Sequence, residues 1–289
     1  MDDVKSDAGV SVVQLTEDAD AIPEVPVGLK RTVVSAGQGA RGRPVKLDLS
    51  KRRKVWFCVG RGRTGKTTLI RWMAEKAAAA SAPVVCIDMD RTNAALTSYI
   101  EGVQSLPTVD DAAGAQWLQR GLDSIVRSDA SALVDLGGGD TILMKLVEEV
   151  PSLAGTLGEA GLEVVLSYLL GPQPDDLSPL ATFAELGFMP RATVLVLNEG
   201  LLGPGVSADT GFDVLRRHSV FRKAEAAGAA IVRFPRLSPA AEIERRRVHF
   251  AQARDGQGPA PLGPFDRARI RHWLERMDEE FAPIASWMP

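Results

Sequence analysis

Six short apolar runs punctuate this chain, at residues 55–59, 83–87, 132–134, 162–170, 192–197 and 229–234. Each is bounded by turn-forming or charged residues, which predicts a buried strand. Between them, residues 69–80, 112–126, 176–186, 211–227, 239–254 and 265–281 predict helices. A further helix is expected where Ile142, Leu143, Leu146, Val147 and Val150 fall on one face. Strands that are apolar throughout, alternating with helices, predict an α/β fold: a mostly parallel sheet flanked by helices on both faces.

The first 50 residues lack that rhythm. Up to Val27 they are acidic, with Asp2, Asp3, Asp7, Glu17, Asp18, Asp20 and Glu24 against Lys5. From Gly28 to Lys54 the sign reverses, and nine lysines and arginines face only Asp48. Such a segment has too little apolar content to fold alone. It is expected to be a flexible arm over residues 1–50, basic in its second half. One domain over residues 51–289 follows and takes in two C-terminal helices. Within the arm, Arg41-Gly42-Arg43-Pro44 resembles the core of an AT-hook, in which Arg-Gly-Arg lies in the narrow minor groove. A basic linker at the domain entrance accounts for the same four residues.

The first apolar run opens into the sharpest signal. Gly60-Arg61-Gly62-Arg63-Thr64-Gly65-Lys66-Thr67 fits G-x-x-x-x-G-K-[ST] at every fixed position, between a predicted strand and a predicted helix. Glycines let backbone N–H groups curl around a phosphate, and the helix N-terminus adds partial positive charge. Lys66 would reach the β- and γ-phosphates of a nucleoside triphosphate, and the Thr67 hydroxyl would ligate Mg²⁺.

Three carboxylates fall at the carboxyl ends of predicted strands, where open α/β sheets bind ligands. Asp135 ends the run Ala132-Leu133-Val134, as a Walker B aspartate does, and would hold the Mg²⁺ shell. Gly138, three residues on, would bring its N–H to the γ-phosphate. Asp88 and Asp90, two residues apart, would share a face and divide metal support from orientation of the attacking water. Taken singly, each such aspartate is more simply a turn former or helix cap.

The remaining composition mostly excludes. A formal charge of −3 says nothing about nucleic acid or membrane. The start, MDDVKSDAGV, is too acidic for a secretory signal, and no run approaches the roughly 18–20 apolar residues of a membrane span. Cys58 and Cys86 lie inside apolar runs and are expected to be buried thiols. His218, His249 and His272 sit in charged helical stretches without metal-ligand spacing. A soluble, cytoplasmic protein is expected.

Gly60 to Thr68 also resembles the deviant Walker A loop of the ParA/MinD ATPases, G-K-G-G-x-G-K-T-T. Cys86-Ile87-Asp88-Met89-Asp90 resembles their D-x-D segment, and Val134-Asp135-Leu136-Gly137-Gly138 occupies their Walker B place. Leu195-Val196-Leu197-Asn198 is similar to the strand whose terminal Asn reads adenine, and Phe234-Pro235 to the turn on the other side of the base. The resemblance implies the family's fold, Mg-ATP chemistry and an ATP-dependent homodimer with nucleotides at the interface. By analogy Asp90 would position the hydrolytic water, with Asp88 near the metal. The family's signature lysine falls on Arg61 and its second loop glycine on Arg63, which keeps charge but changes shape and points to slow hydrolysis.

The partition and conjugation branch implies non-specific DNA binding through a basic surface. Arg245, Arg246 and Arg247, with Arg41 and Arg43, are the candidates, and a DNA-bound adaptor or relaxosome protein is the corresponding partner. A solvated helix face accounts equally for the arginine run. The stripe Ile270, Trp273, Leu274, Met277 and Phe281 is expected to pack on the domain, because Asp278, Glu279 and Glu280 interrupt the basic side a membrane helix needs. The expected function is therefore an ATP-hydrolysing switch in DNA partition, mobilisation or transfer. A small-molecule ligase or kinase on the same fold, or a nucleotide-binding module with weak hydrolysis, would carry many of the same residues.

Overall fold

The protein is described here by a computed structural model covering residues 47–90, 95–137 and 141–289. Most of the predicted arm, with Arg41 and Arg43, lies outside the described residues, and so does Gly138.

Seven strands form one sheet: β1 (Arg53–Val59), β2 (Val84–Asp88), β3 (Gln104–Ser105), β4 (Ser131–Asp135), β5 (Leu162–Leu170), β6 (Ala192–Asn198) and β7 (Ala230–Phe234). Their order is β3-β2-β4-β1-β5-β6-β7, and the pairings are parallel. The α/β architecture is thus as the apolar rhythm predicts. The two-residue β3 has exposed side chains and no hydrophobic signal of its own; pairing with Ile87 and Asp88 alone defines it.

Among the described residues seven helices lie between strands, α1 (Lys66–Ala79), α2 (Asp111–Val126), α3 (Thr141–Glu149), α4 (Leu153–Glu159), α5 (Ser178–Glu185), α6 (Asp213–Arg217) and α7 (Ser219–Ala226), and three follow β7, α8 (Ala240–Arg246), α9 (Phe250–Asp255) and α10 (Pro264–Phe281). Alternate residues of β1 feed two cores. Val55, Phe57 and Val59 join α2 to α7 on one face, while Trp56 and Cys58 join α1 and α8 to α10 on the other. Both faces being covered explains why β1 is apolar without alternation. Trp56 is fully buried yet satisfied, since its indole N–H donates to Ser167 Oγ at 2.8 Å.

Two helices expected to be continuous are broken. Residues 211–227 divide at His218, whose extended backbone (ψ 140) ends α6 and whose Nδ1 accepts from Val220 N at 3.3 Å to start α7. Residues 239–254 divide at Arg247, which is left-handed (φ 51). There Glu75 of α1 caps α9 by accepting from Phe250 N at 2.9 Å and Ala251 N at 3.2 Å. A cap supplied from another helix cannot be seen in local periodicity.

At the C-terminus Ile270, Trp273, Met277 and Phe281 are buried, so the stripe of α10 packs on the domain. Trp287 donates to Leu47 O at 2.9 Å, and Leu49 is buried. Residues 47–50, at the end of the predicted arm, are thereby held against the folded body. Among the described residues no helix is long and apolar enough to cross a membrane.

Candidate functional site

The sheet reverses its direction of winding about β1: the chain moves out through β2 and β3, returns at β4, then crosses to β5. This is the position at which open α/β sheets form a ligand crevice. The Gly60–Gly65 loop leaves β1 there and runs directly into α1.

The loop is shaped by its glycines at two positions. Gly65, the N-cap of α1, is left-handed (φ 95), and a Cβ there would stand 2.8 Å from Asn198 Nδ2 and 3.0 Å from Phe234 Cε1. A Cβ on Gly60 would stand 2.8 Å from Leu169 O. Gly62 meets no such constraint, since nothing lies within 4 Å of its would-be Cβ. Arg63 adopts φ 65, the left-handed backbone that a glycine takes without strain. The bend is closed from within: Thr64 Oγ1 donates to Arg61 O at 2.8 Å. Lys66 is 7% exposed and its ammonium donates to Gly60 O at 2.6 Å and Arg61 O at 3.1 Å. The cation therefore lies inside the curl of the loop, over the N-terminus of a 14-residue helix.

Thr67 and Thr68 follow half-buried in the first turn. Thr67 Oγ1 donates to Asp135 Oδ2 at 2.7 Å. Asp135 and Asp88 are register partners on β4 and β2, so their side chains emerge side by side. Asp135 is 2% exposed, and burial pushes its carboxyl up to about 7, with the charges of Asp88 and Asp90 adding to the rise and the Thr67 bond and Lys66 opposing it. Burial also raises Asp88.

Asp88 behaves largely as a turn former. Its Oδ1 accepts from Asp90 N at 3.0 Å and its Oδ2 from Leu96 N at 3.2 Å. Asp90 lies just past β2, half-buried, with its backbone close to Gly137, where a Cβ would stand 3.1 Å from Asp90 Cα. Gly137, which sequence reasoning passed over for Gly138, is what lets the ends of β2 and β4 approach.

On the other flank, Asn198 and Phe234 are register partners at the ends of β6 and β7. Asn198 Nδ2 donates to Thr64 O at 2.7 Å and its Oδ1 accepts from Gly200 N at 2.8 Å. Pro235 is buried, and its carbonyl accepts from Trp273 Nε1 at 2.9 Å. Asn198 thus braces the Gly60–Gly65 loop, and the Phe234 ring supports Gly65. The contact of Phe234 with Gly65 has no local signal in sequence, because it joins the end of β7 to the loop after β1.

Among the described residues no three His, Cys, Asp or Glu side chains converge on a metal position. One hydroxyl and one buried carboxylate, Thr67 and Asp135, still suit Mg²⁺, which takes few protein ligands when phosphates and water complete its shell. The glycine cradle and Lys66 suit the phosphates.

The basic surface is only partly available. Arg246 donates to Ala260 O and Pro261 O and pairs with Glu242 at 3.1 Å, so it braces a loop. Arg245 also pairs with Glu242, at 2.7 Å, and Arg245 and Arg247 are exposed.

No family model and no curated protein sequence matches the chain. Among solved structures it is similar to the MinD cell division protein of Aquifex aeolicus, at 14% identity and TM-score 0.44, over 78% of this chain and 98% of that one. It is similar to the MinC:MinD cell division protein complex of the same organism, at 13% identity and TM-score 0.45, over 78% and 96%. A third likeness is to chloroplast FtsY from Physcomitrella patens, at 16% identity and TM-score 0.41, over 81% and 69%.

Proposed function

We propose that this protein is a Mg-ATP-binding and hydrolysing switch that dimerises on ATP. The observation that carries it is the Thr67–Asp135 hydrogen bond of 2.7 Å at the foot of a glycine loop that already encloses the Lys66 ammonium. A bound Mg-triphosphate supplies a phosphoanhydride whose γ-phosphoryl group is the electrophile for water. Backbone N–H groups of residues 60–67 hold its oxygens. Lys66 exchanges its two carbonyl acceptors for phosphate oxygens, a stronger charge-assisted pairing. Thr67 and Asp135 would hold the cation, with Asp88 beside them while it keeps the adjoining turn in place. Asp90 orients the attacking water and accepts its proton. Asn198 keeps one amide hydrogen on Thr64 O and offers the second to the base, with Pro235 on the opposite side. Arg61 and Arg63 lie on the exposed rim of the loop, where a second subunit would close over the phosphates.

The test compares wild type with Lys66→Ala for phosphate release and for mass in solution, with ATP and Mg²⁺ and with or without duplex DNA. Wild type should release phosphate and double in mass with Mg-ATP, and the variant should do neither. Equal behaviour of the two proteins overturns the proposal. Service in DNA partition, mobilisation or transfer further requires DNA contact through Arg245 and Arg247. Binding that weakens steeply with salt and is lost in the Arg245→Ala/Arg247→Ala double variant would support it. Absence of DNA binding at low salt removes that use and leaves the ATPase intact.

A further inference from the structure

The turn after β5 runs beside the phosphate loop, because Val59 and Tyr168 are register partners and the two strands end nearly level. Asp176 in that turn is 7% exposed and its Oδ2 accepts from Gln173 N at 3.1 Å. Gly171 makes room for it: a Cβ there would stand 2.7 Å from the same oxygen. The other oxygen, Oδ1, lies 3.7 Å from Nη1 of Arg61.

A fixed carboxylate beside an anion-binding loop opposes phosphate by simple repulsion. Its useful partner there is the guanidinium. Arginine carries five N–H donors in a planar fork, so a carboxylate on one edge fixes the plane while another edge can face phosphate oxygens. Arg61 has a side chain 53% exposed, and without an anchor it would sample many rotamers.

We propose that Asp176 is a positioning residue that holds Arg61 at the rim of the phosphate loop, so that its guanidinium meets charge developing on the phosphoryl oxygens during hydrolysis. The proposal rests on the ATPase function above. Asp176 touches no reacting atom and acts through Arg61.

The test is a double-mutant cycle on steady-state ATP hydrolysis with Asp176→Asn and Arg61→Ala. Asn keeps the acceptor for Gln173 N and removes the charge. Asp176→Asn should lower kcat about tenfold and leave KM for ATP within about twofold, the pattern of an interaction made in the transition state. In the Arg61→Ala background the same change should have no further effect. Asp176→Ser, also uncharged and able to accept, repeats the measurement should the Asn variant unfold. An unchanged kcat for the uncharged variants overturns the proposal, as does an equal loss with and without Arg61. Wild type that releases no phosphate overturns the ATPase function itself, whereas an active wild type matched by active Asp176→Asn overturns only this positioning role.

Discussion

Thr67 Oγ1 lies 2.7 Å from Asp135 Oδ2, joining the first turn of α1 to the end of β4. The bond crosses 68 residues of sequence and sets a hydroxyl and a buried carboxylate edge to edge, the pair to which the proposed function gives Mg²⁺.

Removing the hydroxyl should be felt through the metal. Thr67→Ala is expected to weaken Mg²⁺ binding in the presence of ATP by about 10–100-fold. ATP binding in EDTA should change little. Calorimetric titration of Mg²⁺ into the ATP-loaded protein measures this, and an unchanged Mg²⁺ dependence would separate Thr67 from the metal.

The raised carboxyls give metal-free protein a definite pH dependence. Asp135 stands at about 7 in the fold, against about 3.9 in an unfolded chain. Across that window the folded state keeps a proton that the unfolded state has released. Stability therefore falls as pH rises from about 4 to about 7, and this contribution levels off above. Asp88 is shifted in the same direction and adds to the slope. Urea midpoints in EDTA at several pH values should show the decline, and Asp135→Asn should flatten it. Under the proposed function Mg²⁺ would displace the proton from Asp135, so Mg-ATP affinity should rise through the same window.

The two left-handed loop positions should respond oppositely to substitution. Gly65→Ala forces a Cβ against Asn198 and Phe234 and should abolish nucleotide binding while lowering thermal stability. Arg63→Gly relieves a strain of about 1–2 kcal/mol and returns part of it as unfolded-state entropy, for a net gain of up to about 1 kcal/mol. Thermal unfolding of both variants decides it, and a destabilised Arg63→Gly would show that the Arg63 side chain holds the loop.

Arg71 offers a test of how the site is tied to the C-terminal helices. Its guanidinium is buried between Tyr99, 3.4 Å from the ring centre, and Phe250, 4.6 Å away, and donates to Val248 O at 3.0 Å. Its Nε has no partner, and burial lowers its basicity. Arg71→Ala leaves a cavity and should cost about 2–4 kcal/mol. Arg71→Met fills the space without a charge to desolvate and should fall within about 1 kcal/mol of wild type. Chemical denaturation that ranked Met at or below Ala would mean that the charge, rather than the packing, holds α9 to α1.

Local sequence was sufficient where structure is locally caused. The bounds of β5 were read directly, since nine residues between Gly161 and Gly171 admit no other element. Gly60 to Thr68 announced the loop by its glycine placement and the helix that follows, although its bracing by Asn198 and Phe234 comes from far along the chain. The breaks at His218 and Arg247 were missed because helical composition runs through both.

What the chain alone determined was the doubly covered parallel sheet and the glycine-rich loop between β1 and α1, as each follows from short-range patterns of apolar residues and glycine. Only the folded arrangement decided that Asn198 braces Thr64, that Asp88 ties a turn, that Asp176 faces Arg61 and that Arg246 serves a loop. Those pairings join residues 2 to 134 positions apart. A polar side chain's partner depends on which strands come to lie side by side, and no periodicity along a single segment encodes that.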